Sequence, residues 1–122
     1  MQYFRCSHCG NLVVLLKNSG KALTCCGEVM EELIPNTTEA SFDKHVAVVT
    51  LEGKLVDIVV GSYEHPMFED HYIEWISIET SLAVYRYHLS PNMKPRVQFF
   101  LQNGEELRAV NAYCNLHGLW AC

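Results

Sequence analysis

Two pairs of cysteines, Cys6-Ser7-His8-Cys9 and Cys25-Cys26, are crowded into the start of the chain, each backed by a glycine, Gly10 or Gly27. A stretch this short cannot bury enough apolar surface to hold itself folded, so a metal staple is physically expected. Four thiolates make a tetrahedral sulfur site suited to zinc or iron. The glycines supply the backbone freedom that such knuckle turns need. Adjacent Cys25 and Cys26 are unusual, because neighbouring side chains start out in different directions, and a distorted tetrahedron is expected. His8 lies inside the first knuckle, but with four thiolates present it is read as solvent-facing. Between the knuckles, Leu12 to Leu16 reads as a short strand and Asn18-Ser19-Gly20 as a turn. Pro35-Asn36-Thr37-Thr38 interrupts the hydrophobic pattern as a linker. The expected division is therefore a small metal-knuckle domain, residues 1–36, followed by a second domain, residues 37–122.

The rest of the chain can build a core of its own: 49% of the 122 residues are hydrophobic and 19% charged, a globular balance. A net charge of −5 without a Lys/Arg stripe argues against a nucleic-acid partner. The longest apolar run, Leu12 to Leu16, is too short to cross a bilayer, so no membrane partner is expected. Met1-Gln2-Tyr3-Phe4-Arg5 lacks the apolar core of a signal peptide, and a cytoplasmic location is expected. In that reducing compartment six cysteines are metal ligands or catalytic thiols rather than disulfides. Cys122, at the end, is left as an adventitious thiol without an assigned role.

From Ser41 onward the sequence is mainly β. Strands are expected over Val46 to Leu51, Leu55 to Val60, Tyr72 to Thr80, Leu82 to Leu89, Val97 to Leu101 and Leu107 to Ala112. Tyr72, Glu74, Ile76 and Ile78 alternate onto one face. Glu52-Gly53 marks a turn, Pro91 to Pro95 a loop, and Asn103-Gly104 a hairpin turn. No segment keeps a helical period over ten residues. Six or seven short strands in this length point to an immunoglobulin-like sandwich or a small barrel.

Four histidines of this second domain fall at strand ends or in loops, where a sandwich gathers residues remote in sequence. His45 opens a strand. His65 and His71 bracket the irregular Pro66-Met67-Phe68-Glu69-Asp70, and His117 shares a tight turn with Cys114 in Cys114-Asn115-Leu116-His117-Gly118. His88, inside Tyr85-Arg86-Tyr87-His88, is read as an ordinary strand residue. Four imidazoles and one thiolate exceed the four ligands usual for structural zinc. Iron or copper accommodates five and can keep a sixth position open for a small molecule.

Cys6-x-x-Cys9 with Cys25-Cys26, Asp43-Lys44-His45, His65-Pro66-Met67-x-x-x-His71-x-Ile73-x-Trp75-Ile76 and Cys114-Asn115-Leu116-His117-Gly118 together resemble the desulfoferrodoxin family, the two-iron superoxide reductases. The likeness runs over nearly the whole chain. It implies a rubredoxin- or desulforedoxin-like domain with iron on Cys6, Cys9, Cys25 and Cys26, where zinc can substitute. It also implies an immunoglobulin-like domain with a second iron, with His45, His65, His71 and His117 equatorial and Cys114 axial. The implied activity is one-electron reduction of superoxide to hydrogen peroxide, in a homodimer fed by rubredoxin or a similar donor. Lys44 would then attract the anion and hold water for proton delivery.

The chain departs from the family pattern where Glu-Lys-His is usual and a proline follows two residues later: here stand Asp43-Lys44-His45 and Val46-Ala47. In relatives that glutamate can occupy the sixth position of the oxidised iron. Aspartate reaches roughly 1.2–1.5 Å less far, so solvent is expected there instead. Three other readings compete. A structural zinc-ribbon module leaves five ligand-type residues unemployed. A cysteine hydrolase on Cys114 lacks a recognisable oxyanion-hole motif. An iron-binding electron-transfer protein without superoxide turnover is the closest rival.

Overall fold

The computed structural model of the chain describes residues 1–38, 40 and 42–122. Ser41, where the β reading begins, lies outside them. The chain divides into two compact units, Met1–Ile34 and Pro35–Cys122.

In the first unit β1 (Gln2–Arg5) pairs antiparallel with β2 (Leu12–Leu15), and the first cysteine knuckle forms their connection. β3 (Thr24–Cys25) and β4 (Glu28–Val29) form a minimal hairpin around the second knuckle, and β5 (Glu31–Glu32) pairs with the other edge of β1. β2 stops one residue short of the expected strand: its ladder with β1 ends where Gln2 stands opposite Leu15, and Leu16 beyond it is 85% exposed. Only Tyr3, Cys6 and Met30 of this unit's hydrophobic residues are buried. So small a core is what makes a covalent or metal staple necessary.

The second unit opens on a single helical turn, α1 (Phe42–His45), which the sequence pattern does not announce. His45 closes this turn rather than opening a strand. Then come β6 (Ala47–Glu52), β7 (Leu55–Val60), β8 (Ile73–Thr80), β9 (Val84–His88), β10 (Arg96–Phe100), β11 (Leu107–Cys114) and β12 (Gly118–Ala121). They form two antiparallel sheets, ordered β10-β7-β6 and β12-β11-β8-β9, as in an immunoglobulin-like sandwich. β6 and β7 form a tight hairpin, Glu52 opposite Leu55, over the two-residue turn Gly53-Lys54.

Alternation builds the core. Val56, Ile58 and Val60 of β7 are fully buried and alternate with the less buried Leu55, Asp57 and Val59; they pack with Ile76 and Ile78 of β8 and Val110 and Ala112 of β11. In β8 Ile76 and Ile78 face the core as expected, but Glu74 is only half-buried and Ile73 joins the core across a register shift opposite Cys114; Trp75 and Ser77 are buried too. Trp75 stacks on Tyr113, its partner across the strands, with centroids 5.5 Å apart and planes 7° apart, and the Arg86 guanidinium lies 5.1 Å from its ring centroid.

Asn103-Gly104 does make a turn, with Gly104 at φ 80°, but not a hairpin: β10 and β11 lie in different sheets. The Glu105 carboxylate explains the divergence. It accepts from the Gln102 amide at 2.9 Å, and it also accepts from the Thr80 and Tyr85 hydroxyls at 2.5 and 3.1 Å. Those last two bonds pull the chain across to β8 and β9. With Ile58 fully buried in the centre of the sandwich, Ile58→Ala should cost about 2–5 kcal/mol of unfolding free energy in urea titration. Val48→Ala, at a 44% exposed position, should change it by less than about 0.5 kcal/mol.

Candidate metal centres

In the first unit the four thiols converge, all within 4.8 Å of one another. Cys9 Sγ lies 3.6 Å from Cys25 Sγ, which lies 3.9 Å from Cys26 Sγ. These separations are far beyond a disulfide bond. They match the edge of a tetrahedron of thiolates at about 2.3 Å from one ion, roughly 3.8 Å. Adjacent cysteines can share the site because Cys26 adopts the left-handed conformation, φ 52°, and is followed by Gly27 at φ 77°. That reversal turns the second side chain back beside the first.

The amide of Cys9 points at Cys6 Sγ, 3.5 Å away, and backbone donors led by that one draw the Cys6 thiol down to about 6. Cys26 is pushed up to about 12, chiefly by the neighbouring Cys9 and Cys6 sulfurs. Four sulfurs this close can all ionise only around a cation. His8 faces Glu28 at 3.0 Å with its side chain half exposed, so it stands outside the cluster as expected.

In the second unit the donors come from four elements. His45 is set by α1. The backbone of that turn is pinned by the next irregular segment: Tyr63 N–H and the Ser62 hydroxyl donate to the Asp43 carbonyl at 3.1 and 3.2 Å, and Gly61 N–H donates to the Val46 carbonyl at 3.1 Å. Gly61, at φ 86°, passes so close that a Cβ there would sit 2.7 Å from the Lys44 carbonyl and 2.3 Å from that of Tyr63. His65 and His71 come from the irregular segment between β7 and β8, Cys114 from the end of β11, and His117 from the turn into β12. Asn115 ties these loops together. Its side chain accepts from Tyr72 N–H and donates to the Asp70 carbonyl, both at 2.9 Å.

The ligand atoms of His45, His65, His71 and Cys114 lie within 4.8 Å of one another. His117 joins them: its Nδ1 is 3.0 Å from His45 Nε2 and 3.8 Å from Cys114 Sγ. His45 Nε2 also lies 3.2 Å from His65 Nε2. Imidazole nitrogens bound at right angles on one ion at about 2.1 Å would stand about 3.0 Å apart. His71 Nε2 is buried and finds no hydrogen-bond partner among the described residues, an orphan that a cation would satisfy. His65 Nδ1–H donates to the Pro66 carbonyl at 2.7 Å, which leaves its Nε2 lone pair facing the cluster. The donor set fits a transition metal.

Lys44 and Asp43 are both exposed on α1. The Lys44 charge is felt at His71, whose imidazole is lowered mainly by burial, then by His117, with Lys44 acting in the same sense. Burial raises the Cys114 thiol, while the amides of His117 and Leu116 act in the opposite sense. His88 lies at the exposed end of β9, outside the cluster. Asn115, Gly61 and Trp120, which shape this site, were not singled out in the sequence. Asn115 alone carried a signal, its place inside Cys-x-x-His.

Burial lowers His65 to about 4, against a smaller upward pull from the Pro66 carbonyl. The unfolded chain takes up that proton near 6.5, so the folded state is disfavoured as pH falls. In the metal-free protein the second unit should keep the His65 contribution to its urea midpoint above about pH 6.5 and lose it between there and about pH 4. His65→Gln should flatten that slope.

The family model described as "Desulfoferrodoxin" matches residues 37–122, and that described as "Desulfoferrodoxin, N-terminal domain" matches residues 1–33. A desulfoferrodoxin of Clostridium acetobutylicum is 44% identical over 111 residues, 91% of this chain and 86% of that one. A desulfoferrodoxin homolog of Archaeoglobus fulgidus is 40% identical over 120 residues, 98% of this chain and 94% of that one. The crystal structure of the superoxide reductase from Treponema pallidum superposes with a TM-score of 0.80 at 30% identity, covering 99% of this chain and 97% of its own. With both units matched and a donor cluster assembled in each, the chain belongs to the desulfoferrodoxin family.

Proposed function

We propose that the chain is a superoxide reductase, carrying one electron to superoxide and releasing hydrogen peroxide. The observation that carries this reading is the convergence of His45, His65, His71, His117 and buried Cys114 at one end of the sandwich. In this reading residues 37–122 hold an iron on those five donors. Residues 1–36 hold a second on Cys6, Cys9, Cys25 and Cys26, a site zinc would also fit. Ferrous iron on such donors supplies one electron and a positive centre for a small anion.

The protein's own groups do the rest. His65 is held in one tautomer by the Pro66 carbonyl, so its donor nitrogen needs no rearrangement. Burial keeps the Cys114 thiol from ionising alone, so its thiolate forms together with the bound cation. Reduction of superoxide to hydrogen peroxide consumes one electron and two protons. Lys44, exposed beside His45, provides local attraction on a chain of net charge −5, and holds water that delivers those protons. Asp43, two residues before His45, would be the carboxylate available to an open position on such an iron; its short side chain and exposed place on α1 favour solvent there instead. Electrons come from rubredoxin or a similar small donor, to a homodimer in the cytoplasm. Among the described residues no helix is long and apolar enough to cross a membrane.

The deciding measurement is a superoxide assay that separates reduction from dismutation, on protein with both sites loaded. Cys114→Ser should abolish both the visible thiolate-to-iron band and the reaction while sparing the chromophore of the first unit. Loaded wild-type protein that shows the band but does not reduce superoxide would make this a pure electron-transfer protein. Lys44→Ala should slow superoxide capture about tenfold, most at low ionic strength, and Lys44→Arg should retain much of the rate. Equal rates for all three across a salt series would leave Lys44 a merely solvated residue.

A further inference from the structure

Trp120 is almost completely buried, at 1% exposure, on β12. Its ring lies against the His45 imidazole, with centroids 4.7 Å and planes 26° apart. Its indole Nε1–H donates to the His117 carbonyl at 3.1 Å. Phe42, the first residue of α1, meets the same indole edge-on, at 5.2 Å and 86°. One side chain therefore touches both elements whose histidines approach to 3.0 Å although 72 residues apart in the chain. A buried indole N–H must find an acceptor, and here the acceptor is the backbone of a donor residue itself.

We infer that Trp120 is a positioning residue of the His/Cys site. The flat indole fixes the plane of the His45 ring, and the N–H fixes the turn that aims His117 Nδ1. The two contacts constrain different motions. Stacking leaves His45 free to slide but not to tilt, while the hydrogen bond sets how deeply the Cys114–His117 turn reaches in. Without them two imidazoles would have to be ordered at the moment the ion binds, at the cost of their rotamer freedom. Through Phe42 the same ring also supports the helical turn that bears Lys44. Trp120 reaches neither ion nor substrate; it acts through His45 and His117.

This rests on the His/Cys cluster holding iron and not on what the iron reacts with, so the test reads the iron. Trp120→Phe keeps an aromatic ring for His45 and removes only the N–H; Trp120→Leu removes both. Wild-type and variant proteins are loaded with iron, and release to a competing chelator is followed with the visible thiolate-to-iron band. Supporting groups of this kind typically change metal affinity about 10- to 100-fold. Trp120→Phe should release iron about tenfold faster with a shifted band, and Trp120→Leu faster still. Wild-type release and an unshifted band in Trp120→Phe, whatever its thermal stability, would reduce Trp120 to a filler of the core.

If neither variant folds, zinc-loaded wild-type protein decides. Hydrogen exchange at the Trp120 indole should slow at least about tenfold when the ion locks the His117 turn, and unchanged exchange overturns the inference. A wild-type chain that takes up no iron at the His/Cys cluster is a separate result, which removes the site itself and the inference with it.

Discussion

The chemistry of the second unit depends on a pocket rich in donors and poor in charge. Four imidazoles and a thiol are drawn together at one end of a sandwich, with two pairs of nitrogens 3.0 and 3.2 Å apart. Lone pairs at that distance repel or compete for protons, and burial lowers the His65 and His71 imidazoles, disfavouring their protonated forms. A transition-metal cation turns the conflict into bonding. The hydrogen bonds around it, His65 to Pro66, Asn115 to both flanking loops and Trp120 to His117, aim donors that would otherwise point elsewhere.

The same logic appears in the first unit at a smaller scale and with a different balance. There the apolar core is Tyr3, Cys6 and Met30, and the four converged thiols are placed to supply the staple that so small a core needs. In the second unit Val56, Ile58, Val60, Ile76, Ile78 and Val110 hold the two sheets together and leave the cluster free to be chemical. In the proposed reading a metal fastens one half of the chain and reacts in the other, because only one half has a core to spare.

Electrostatics acts locally. A chain of net charge −5 repels small anions at long range, and in the proposed reading the compensating feature is the exposed Lys44 ammonium on the same helical turn as His45. That turn is fixed from three sides: by Gly61, Ser62 and Tyr63 on its backbone, by His45 within the cluster, and by Phe42 against Trp120. The backbone that carries Lys44 therefore keeps a defined place beside the His/Cys cluster.

The ligand-type residues, the β character and the two-part organisation were legible in the sequence, because donor chemistry and strand alternation are written residue by residue. Adjacent thiols could be read as a site, but nothing in Cys25-Cys26 announces that Cys26 takes a positive φ, the conformation in which the two thiols converge. Asn103-Gly104 promised a hairpin on local grounds, and Glu105 overrode it by bonding to residues of another sheet. His45 was seen as a ligand and misplaced on a strand, because one helical turn leaves no periodicity to detect. Trp120 carried no signal at all. Its role exists only because β12 is brought beside α1. Local covalent structure and periodicity determine which groups are present and what strands they form. Only tertiary packing decides which distant groups meet, for that depends on contacts whose free energy no single segment contains.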